Sequence, residues 1–305
     1  MTGIMQIIAA ATSYVKGIFG FGSNAGYLSV SNLVSNTGTL ASNTTGVGTA
    51  RSDLVAAGFG SGRAIFGLGT VGYAVGMTNL VSNTGVVGSD VAAVAQASRY
   101  GAAAASYGSD KAIFLFGQTG AGLSFDYNLI SNTGVVGSTS GGPAFSWSYL
   151  AGAGYGNNKA IFAGGTGYTG ASSYVTLVSN TGTVGVATTS VATPRYYLTA
   201  CTYGADKAII LYGVSATNTY ALITNLVSNT GVVASDTAQT GSGRQRQAAS
   251  GYGQGTAIMA YGTTGSTPTY TNLINYISNT GVVSADQTYT SGGTLRQGPA
   301  GSTYG

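Results

Sequence analysis

The 305-residue chain is 6% charged, with seven Asp, no Glu, no His and one Cys, and it carries a net charge of +4. A typical soluble domain is about 25% charged, so this balance reflects scarce acids more than abundant bases. The composition excludes a Ser–His–Asp triad, the usual imidazole or paired-thiolate metal sites and a disulfide within the chain.

Residues 1–14 are mildly apolar. They lack a basic leader and a long apolar stretch, so they do not read as a secretory signal. A docking segment or an extra edge strand is expected there. No apolar run reaches the roughly 18 residues needed to span a bilayer, and no membrane span is expected.

From residue 15 to 305 the chain repeats. Ser-Asn-Thr-Gly begins at Ser35, Ser82, Ser131, Ser179, Ser228 and Ser278, at spacings of 47 to 50 residues. A basic-small-Ile-aromatic motif begins at Lys16, Arg63, Lys111, Lys159 and Lys207, with Thr256 in the sixth place. A third motif opens with Arg51, Arg99, Trp147, Arg195, Arg244 and Arg296, eight residues before an aromatic-Gly pair. Three motifs that keep one period define a repeat architecture.

Each unit reads as four strands. Strand a is small and apolar, as in 100–107. Strand b is 111–117, strand c is 128–132, and strand d starts at Val135. The a–b connection suits a two-residue hairpin with positive φ. In the c–d turn, the Gly of Asn-Thr-Gly takes a left-handed conformation. A period near 48 with four antiparallel strands predicts an all-β, six-bladed β-propeller. Strand a fits the crowded axis.

The ends predict closure. Residues 296–305 form a strand a with no strand b after it, and Lys16 opens a strand b with no full strand a before it. Residues 9–14 (AAATSY) also resemble a strand a, but two turn residues are missing. The C-terminal strand restores the repeat spacing and is expected to complete blade 1.

The acids are tied to the repeat. Asp110 and Asp206 sit in hairpins, and Asp90, Asp236 and Asp286 recur after the start of strand d, which fits turn or edge devices better than paired catalytic carboxylates. Gly-rich stretches precede no helix and do not cradle phosphate. The bases are dispersed in register, which argues against nucleic acid. Cys201 reads as a buried inert thiol. No enzyme activity and no cofactor are expected.

One propeller face would carry the nearly invariant a–b and c–d turns. The other would carry variable loops rich in Tyr, Ser, Gly and Thr, a mixture suited to recognition. Tyr73, Tyr127, Tyr168, Tyr174, Tyr220 and Tyr270 are the candidate contacts. Arg51, Arg99, Arg195, Arg244 and Arg296 would ring the channel mouth on that face. They could face an anion, or bond neighbouring carbonyls and stack on an aromatic, locking blade to blade.

The pattern of Arg, small residues, basic residue, hydrophobics and a glycine pair (Gly164-Gly165) resembles kelch-repeat propellers. The usual outer Trp after the turn is absent, with Leu40, Val86 and Val135 in its place. The resemblance implies a six-bladed kelch-like fold. With no His, it does not extend to copper oxidase chemistry. The wording of the units, such as NLVSNTGVV, is similar to repeats in bacteriophage structural proteins, especially those of marine phages. That resemblance implies a virion location, such as a tail fibre or particle surface, with release by lysis. The implied partners are other virion proteins and a host-surface receptor or glycan. A lectin-like propeller outside a virion is the rival.

Overall fold

The computed structural model describes residues 15–92, 98–143, 145–265 and 269–305. The expected docking segment at 1–14 and the rival strand at 9–14 lie outside the described residues. Among these residues there is no helix, and the main strands form six antiparallel sheets. Strand a of each blade touches strand a of the next, and the cycle closes through blade 1. The fold is a six-bladed β-propeller.

Strands a, b and c of blade 1 are Ala300–Tyr304, Lys16–Ser23 and Tyr27–Val34, and those of blade 2 are Val55–Phe59, Arg63–Gly67 and Thr78–Val81. Blade 3 has Ala103–Tyr107, Lys111–Leu115 and Asp126–Ile130, and blade 4 has Ala151–Tyr155, Lys159–Ala163 and Tyr174–Val178. Blade 5 has Thr199–Tyr203, Lys207–Leu211 and Ile223–Val227, and blade 6 has Ala248–Tyr252, Thr256–Ala260 and Leu273–Ile277. Strand d is Ser140–Gly141, Thr188–Thr189, Thr237–Ala238 and Gln287–Thr288 in blades 3 to 6.

Two local predictions need correction. The a–b loops hold three residues, not two: Tyr107 pairs with Lys111, leaving Gly108, Ser109 and Asp110 between them. Strand d is also shorter than expected. In blade 3, Val136 makes one bridge to Ile130, and pairing resumes only at Tyr127↔Ser140, shifted by one residue. The cause is Asn128. Its Nδ2 donates to Gly137 O and to Thr139 Oγ1, both at 3.1 Å, and displaces part of the ladder as a bulge.

The core is six wedges rather than one mass. Each apolar cluster lies between two adjacent blades, as where Ala104 and Phe114 of blade 3 meet Val55 and Ile65 of blade 2. Glycine supplies the fit at the turns. Gly134 has a φ of 86°, and a Cβ there would stand 2.7 Å from the Phe59 ring of the preceding blade. The monotony of Asn-Thr-Gly therefore has a packing cause.

The last strand completes blade 1, with Lys16 opposite Tyr304 and Gly20 opposite Ala300. Three closed rings of inter-blade backbone hydrogen bonds reinforce that join. At the loop end, Asp53 N donates to Gly298 O, Gly298 N to Arg246 O, and Arg246 N to Tyr197 O. Tyr197 N donates to Tyr149 O, Tyr149 N to Gly101 O, and Gly101 N to Asp53 O. All six residues have φ between 50° and 59°. The second ring runs from a glycine near the end of strand b to the repeat Arg or Trp147 that precedes strand a of the next blade, from Gly22 N→Arg51 O round to Gly262 N→Arg296 O. The third lies at the hairpin end, from Gly60 N→Asp110 O round to Gly305 N→Gly62 O. A left-handed non-glycine residue costs roughly 1–2 kcal/mol. Each hydrogen bond returns about 0.5–1.5 kcal/mol, so the four non-glycine members of the first ring need side-chain help.

The five repeat arginines do not line the channel mouth, which corrects the anion-facing ring; of the two roles expected for them, the geometry matches the blade lock. Arg51, Arg99, Arg244 and Arg296 are fully buried and Arg195 is 2% exposed. Each donates through Nη2 to Oδ1 of the strand-c Asn in its own blade: Arg51 to Asn79 at 2.7 Å, Arg99 to Asn128 at 2.8 Å, and Arg296 to Asn32 at 2.7 Å. Arg195 with Asn225 and Arg244 with Asn275 do the same. Some of the remaining N–H groups meet carbonyls, as Arg51 Nε does Leu68 O at 2.9 Å. Three of the five guanidinium groups also lie over an aromatic ring of the preceding blade: Arg51 over Phe21 at 4.3 Å, Arg244 over Tyr212 at 5.7 Å and Arg296 over Tyr261 at 4.0 Å. Burial lowers Arg51, Arg99 and Arg195 to about 10, so they stay charged at neutral pH.

The recurring acids extend this lock. Asp90 accepts from Asn79 Nδ2 at 2.9 Å and from Thr49 N and Oγ1 at 2.9 and 2.7 Å. Asp236 does the same with Asn225 and Thr193. Partial burial pushes both carboxyls up, but these hydrogen bonds and the nearby arginine outweigh it and hold them below the usual 3.8.

Deleting residues 296–305 opens every ring: two hydrogen bonds of the first go with Gly298, and one each of the second and third go with Arg296 and Gly305. The truncated chain is expected to lose its cooperative transition in calorimetry, because blade 1 loses the strand that touches strands a of blades 2 and 6 and the buried Ala300 and Tyr304; a wild-type Tm would contradict this. A second prediction concerns acid. Groups with depressed folded pKa stabilise the fold above their unfolded value and lose that contribution as pH falls through the folded one. Asp90→Asn with Asp236→Asn should therefore flatten the acid limb of the stability–pH curve below about pH 4. An unchanged limb in denaturant melts would count against the assignment.

Candidate functional site

The six candidate tyrosines divide into two groups. Tyr73 and Tyr168 are 71% and 85% exposed, and Tyr174 is 37% exposed. Tyr127 is half-buried against the core between blades 3 and 4. Tyr220 OH accepts from Gln245 Nε2 at 3.1 Å, and Tyr270 OH donates to Asn24 O at 2.8 Å, tying the blade 6 loop to blade 1. The last three serve the scaffold. The exposed three belong to blades 2 and 4.

A second constellation stands at the loop end of the channel, in a cavity of about 110 Å³ lined by the starts of all six strands a. It is built on the six left-handed residues of the first ring, two positions after each repeat arginine or Trp147. In blade order they are Gly298, Asp53, Gly101, Tyr149, Tyr197 and Arg246. The backbone conformation is sixfold, but the side chains are not. Arg246 Nη1 lies 3.4 Å from Asp53 Oδ2, and its Nη2 donates to Tyr197 OH at 2.7 Å. Its guanidinium lies over the Tyr197 ring at 4.3 Å and the Tyr149 ring at 5.5 Å, and the two rings are 4.2 Å apart.

Glycine makes room for these side chains. A Cβ on Gly298 would stand 2.9 Å from Asp53 Oδ1, and one on Gly101 would stand 2.8 Å from the Tyr149 ring. Asp53 and Tyr149 thus lean over blades that contribute no side chain. Burial raises the Asp53 carboxyl, and the charge of Arg246 only partly offsets it. Burial lowers the Arg246 guanidinium, but Asp53 and Tyr197 outweigh that and raise it. Burial raises the Tyr149 hydroxyl as well, with Asp53 adding to it. The result is a cross-braced plug of one ion pair and two rings.

The hairpin end of the channel holds a larger cavity of about 300 Å³. Its wall alternates Gly58, Ser106, Gly154, Thr202, Gly251 and Thr303. Ser106 and Thr202 donate to the carbonyls of Gly58 and Gly154 in the preceding blade at 2.8 and 3.0 Å. Cys201 is buried beside it, and desolvation pushes its thiol up to about 12, so it is protonated at neutral pH.

The sequence reading missed the channel-mouth set. Its signal was present as the position two residues after each repeat Arg or Trp147, which holds Asp53, Gly101, Tyr149, Tyr197, Arg246 and Gly298 in the six units. No family model matches the chain, and no curated protein matches it.

Arg246→Met should destabilise the fold by about 3–5 kcal/mol at neutral pH, because it leaves Asp53 without its counter-charge. Asp53 can escape by protonation. The folded-state pKa of Asp53 is raised, so its favourable contribution is present at low pH and is lost as pH rises through that pKa. Without Arg246 the carboxyl is raised further, so the deficit of the variant should be smallest where Asp53 is protonated in both proteins and grow as pH rises through the folded value that Asp53 has beside Arg246, in denaturant melts. A deficit independent of pH would contradict the ion-pair assignment.

Proposed function

We propose that the chain is a non-catalytic recognition module that presents its loop face to a host surface or protein partner as part of a virion. The observation that carries this reading is the exposure of Tyr73 and Tyr168 on loops anchored to a propeller closed by three hydrogen-bonded rings. Large aromatic side chains exposed on a rigid support are the residues that dominate binding energies. The opposite face uses its repeat residues for inter-blade packing, as Gly134 does on Phe59.

The virion setting is supported by the similarity of the repeat wording to bacteriophage structural proteins. The kelch-like label is supported by a conserved conformation. Phe21, Leu68, Phe116, Gly164, Tyr212 and Tyr261 all have φ between 51° and 68° at the place of the first glycine of the pair. The absence of Glu and His from the side-chain inventory supports a non-catalytic role.

Binding of the purified chain to host cells tests the reading. Tyr73→Ala with Tyr168→Ala should weaken binding by roughly tenfold or more, with Tm unchanged. Wild-type binding by the folded double variant would overturn the loop-face assignment. Absence of the chain from purified particles, by mass spectrometry, would overturn the virion setting.

A further inference from the structure

Blade 4 departs from the other blades at four positions that work together elsewhere. In blade 2 these positions are Thr49, Arg51, Asn79 and Asp90, and the hydrogen bonds described above link all four. Blades 5 and 6 repeat the set, with Ser242 as the hydroxyl residue in blade 6 and Asp286 as the acid. Blade 1 uses Thr294, Arg296, Asn32 and Asn43. In blade 4 the same positions hold Phe145, Trp147, Thr176 and Ala187. One change alone would strand a buried charge or amide. All four are changed, so blade 4 lacks the buried guanidinium and its amide partner that the other five blades keep, blade 3 through Arg99 and Asn128.

The replacement builds a shelf. Phe145, Trp147 and Tyr174 lie with ring centroids 5.3 to 6.0 Å apart and interplanar angles of 15° to 31°. Trp147 is 7% exposed and is braced edge-on by Phe116 at 5.6 Å. Phe145 and Tyr174 are 46% and 37% exposed. A merely structural replacement would bury its rings. This one buries the Trp and leaves the two outer rings in water. Among the described residues the indole N–H of Trp147 has no acceptor, which leaves a donor beside the rings.

We infer that this shelf is a binding subsite for a neutral pyranose sugar. Aromatic faces are electron-rich, and the axial C–H bonds of a pyranose ring present a matching positive face. The near-parallel rings suit a flat saccharide, the indole N–H suits a ring or hydroxyl oxygen, and the loss of both Arg and Asp removes any selection for charge. The inference deepens the recognition reading and rests on it for the biological setting, but not for the binding event itself.

Trp147 is the single tryptophan of the chain, so its fluorescence reports this site alone. The intact chain would be titrated with cellohexaose, maltohexaose, laminarihexaose, mannohexaose and galactohexaose, with sialyllactose as the charged control. At least one neutral hexasaccharide should give a saturable emission change, and sialyllactose should give none. Phe145→Ala and Tyr174→Ala, both at exposed positions, should each weaken binding by about tenfold with Tm unchanged. A quadruple variant (Phe145→Thr, Trp147→Arg, Thr176→Asn, Ala187→Asp) restores the sister-blade lock. It should fold and fail to bind the same sugar by calorimetry. No response to any neutral sugar, a response only to sialyllactose, or undiminished binding by the variants would each overturn the inference. Tyr73 and Tyr168 stay intact here, so failure on sugars with cell attachment retained would remove the subsite and leave the loop-face reading standing.

Discussion

The rest of the structure depends on closed rings of backbone hydrogen bonds between blades. A blade of three or four short strands cannot bury both faces, and here each apolar wedge exists only between two blades. The rings fix the separation and tilt at which those wedges form. They act at three radii or heights: the hairpin end, the loop end, and the glycine near the end of strand b. Because each is cyclic, no blade is terminal, and the first and last described strands pair inside blade 1 rather than at an exposed edge.

Everything else accommodates that constraint. The left-handed residues of the loop-end ring are unfavourable for Asp53, Tyr149, Tyr197 and Arg246 on backbone grounds. Their side chains recover the difference by bracing one another across the channel. The buried arginines serve the next layer out. Each ties the entry to strand a to strand c, and most also rest on a side chain from the preceding blade. A buried guanidinium is a costly lock, and its amide, carbonyl and aromatic partners keep it tolerable. Blade 4 shows that the lock can be exchanged for packing when all its members change together, and that exchange leaves aromatic surface in water.

Much of the architecture was legible because the repeat is nearly literal. Ser-Asn-Thr-Gly at constant spacing gave the blade count, and the unpaired strand a at 296–305 gave the closure. The length of strand d was not legible, because Asn128 reads as an ordinary strand residue until its side chain is seen in the ladder. The arginines were ambiguous, since a periodic cation can line a channel or lie between elements, and only three-dimensional partners such as Asn79 and Phe21 decide which. The channel-mouth set was harder still. Asp53, Tyr149, Tyr197 and Arg246 are nearly 200 residues apart at the extremes and meet only because the ring closes. The blade 4 shelf was visible as Trp147 in an arginine column, but its meaning required the changes at 145, 176 and 187 to be read as one.

Hydrogen exchange read by mass spectrometry tests the closed-ring account most directly. If the rings are continuous, the amides of Gly298, Asp53, Gly101, Tyr149, Tyr197 and Arg246 share one protection factor, set by global unfolding. Peptides from the C-terminal strand then exchange no faster than strand a of any other blade. Early exchange confined to residues 298–305 and their partners at 16–20 would mean that the seam opens on its own, and would contradict the account.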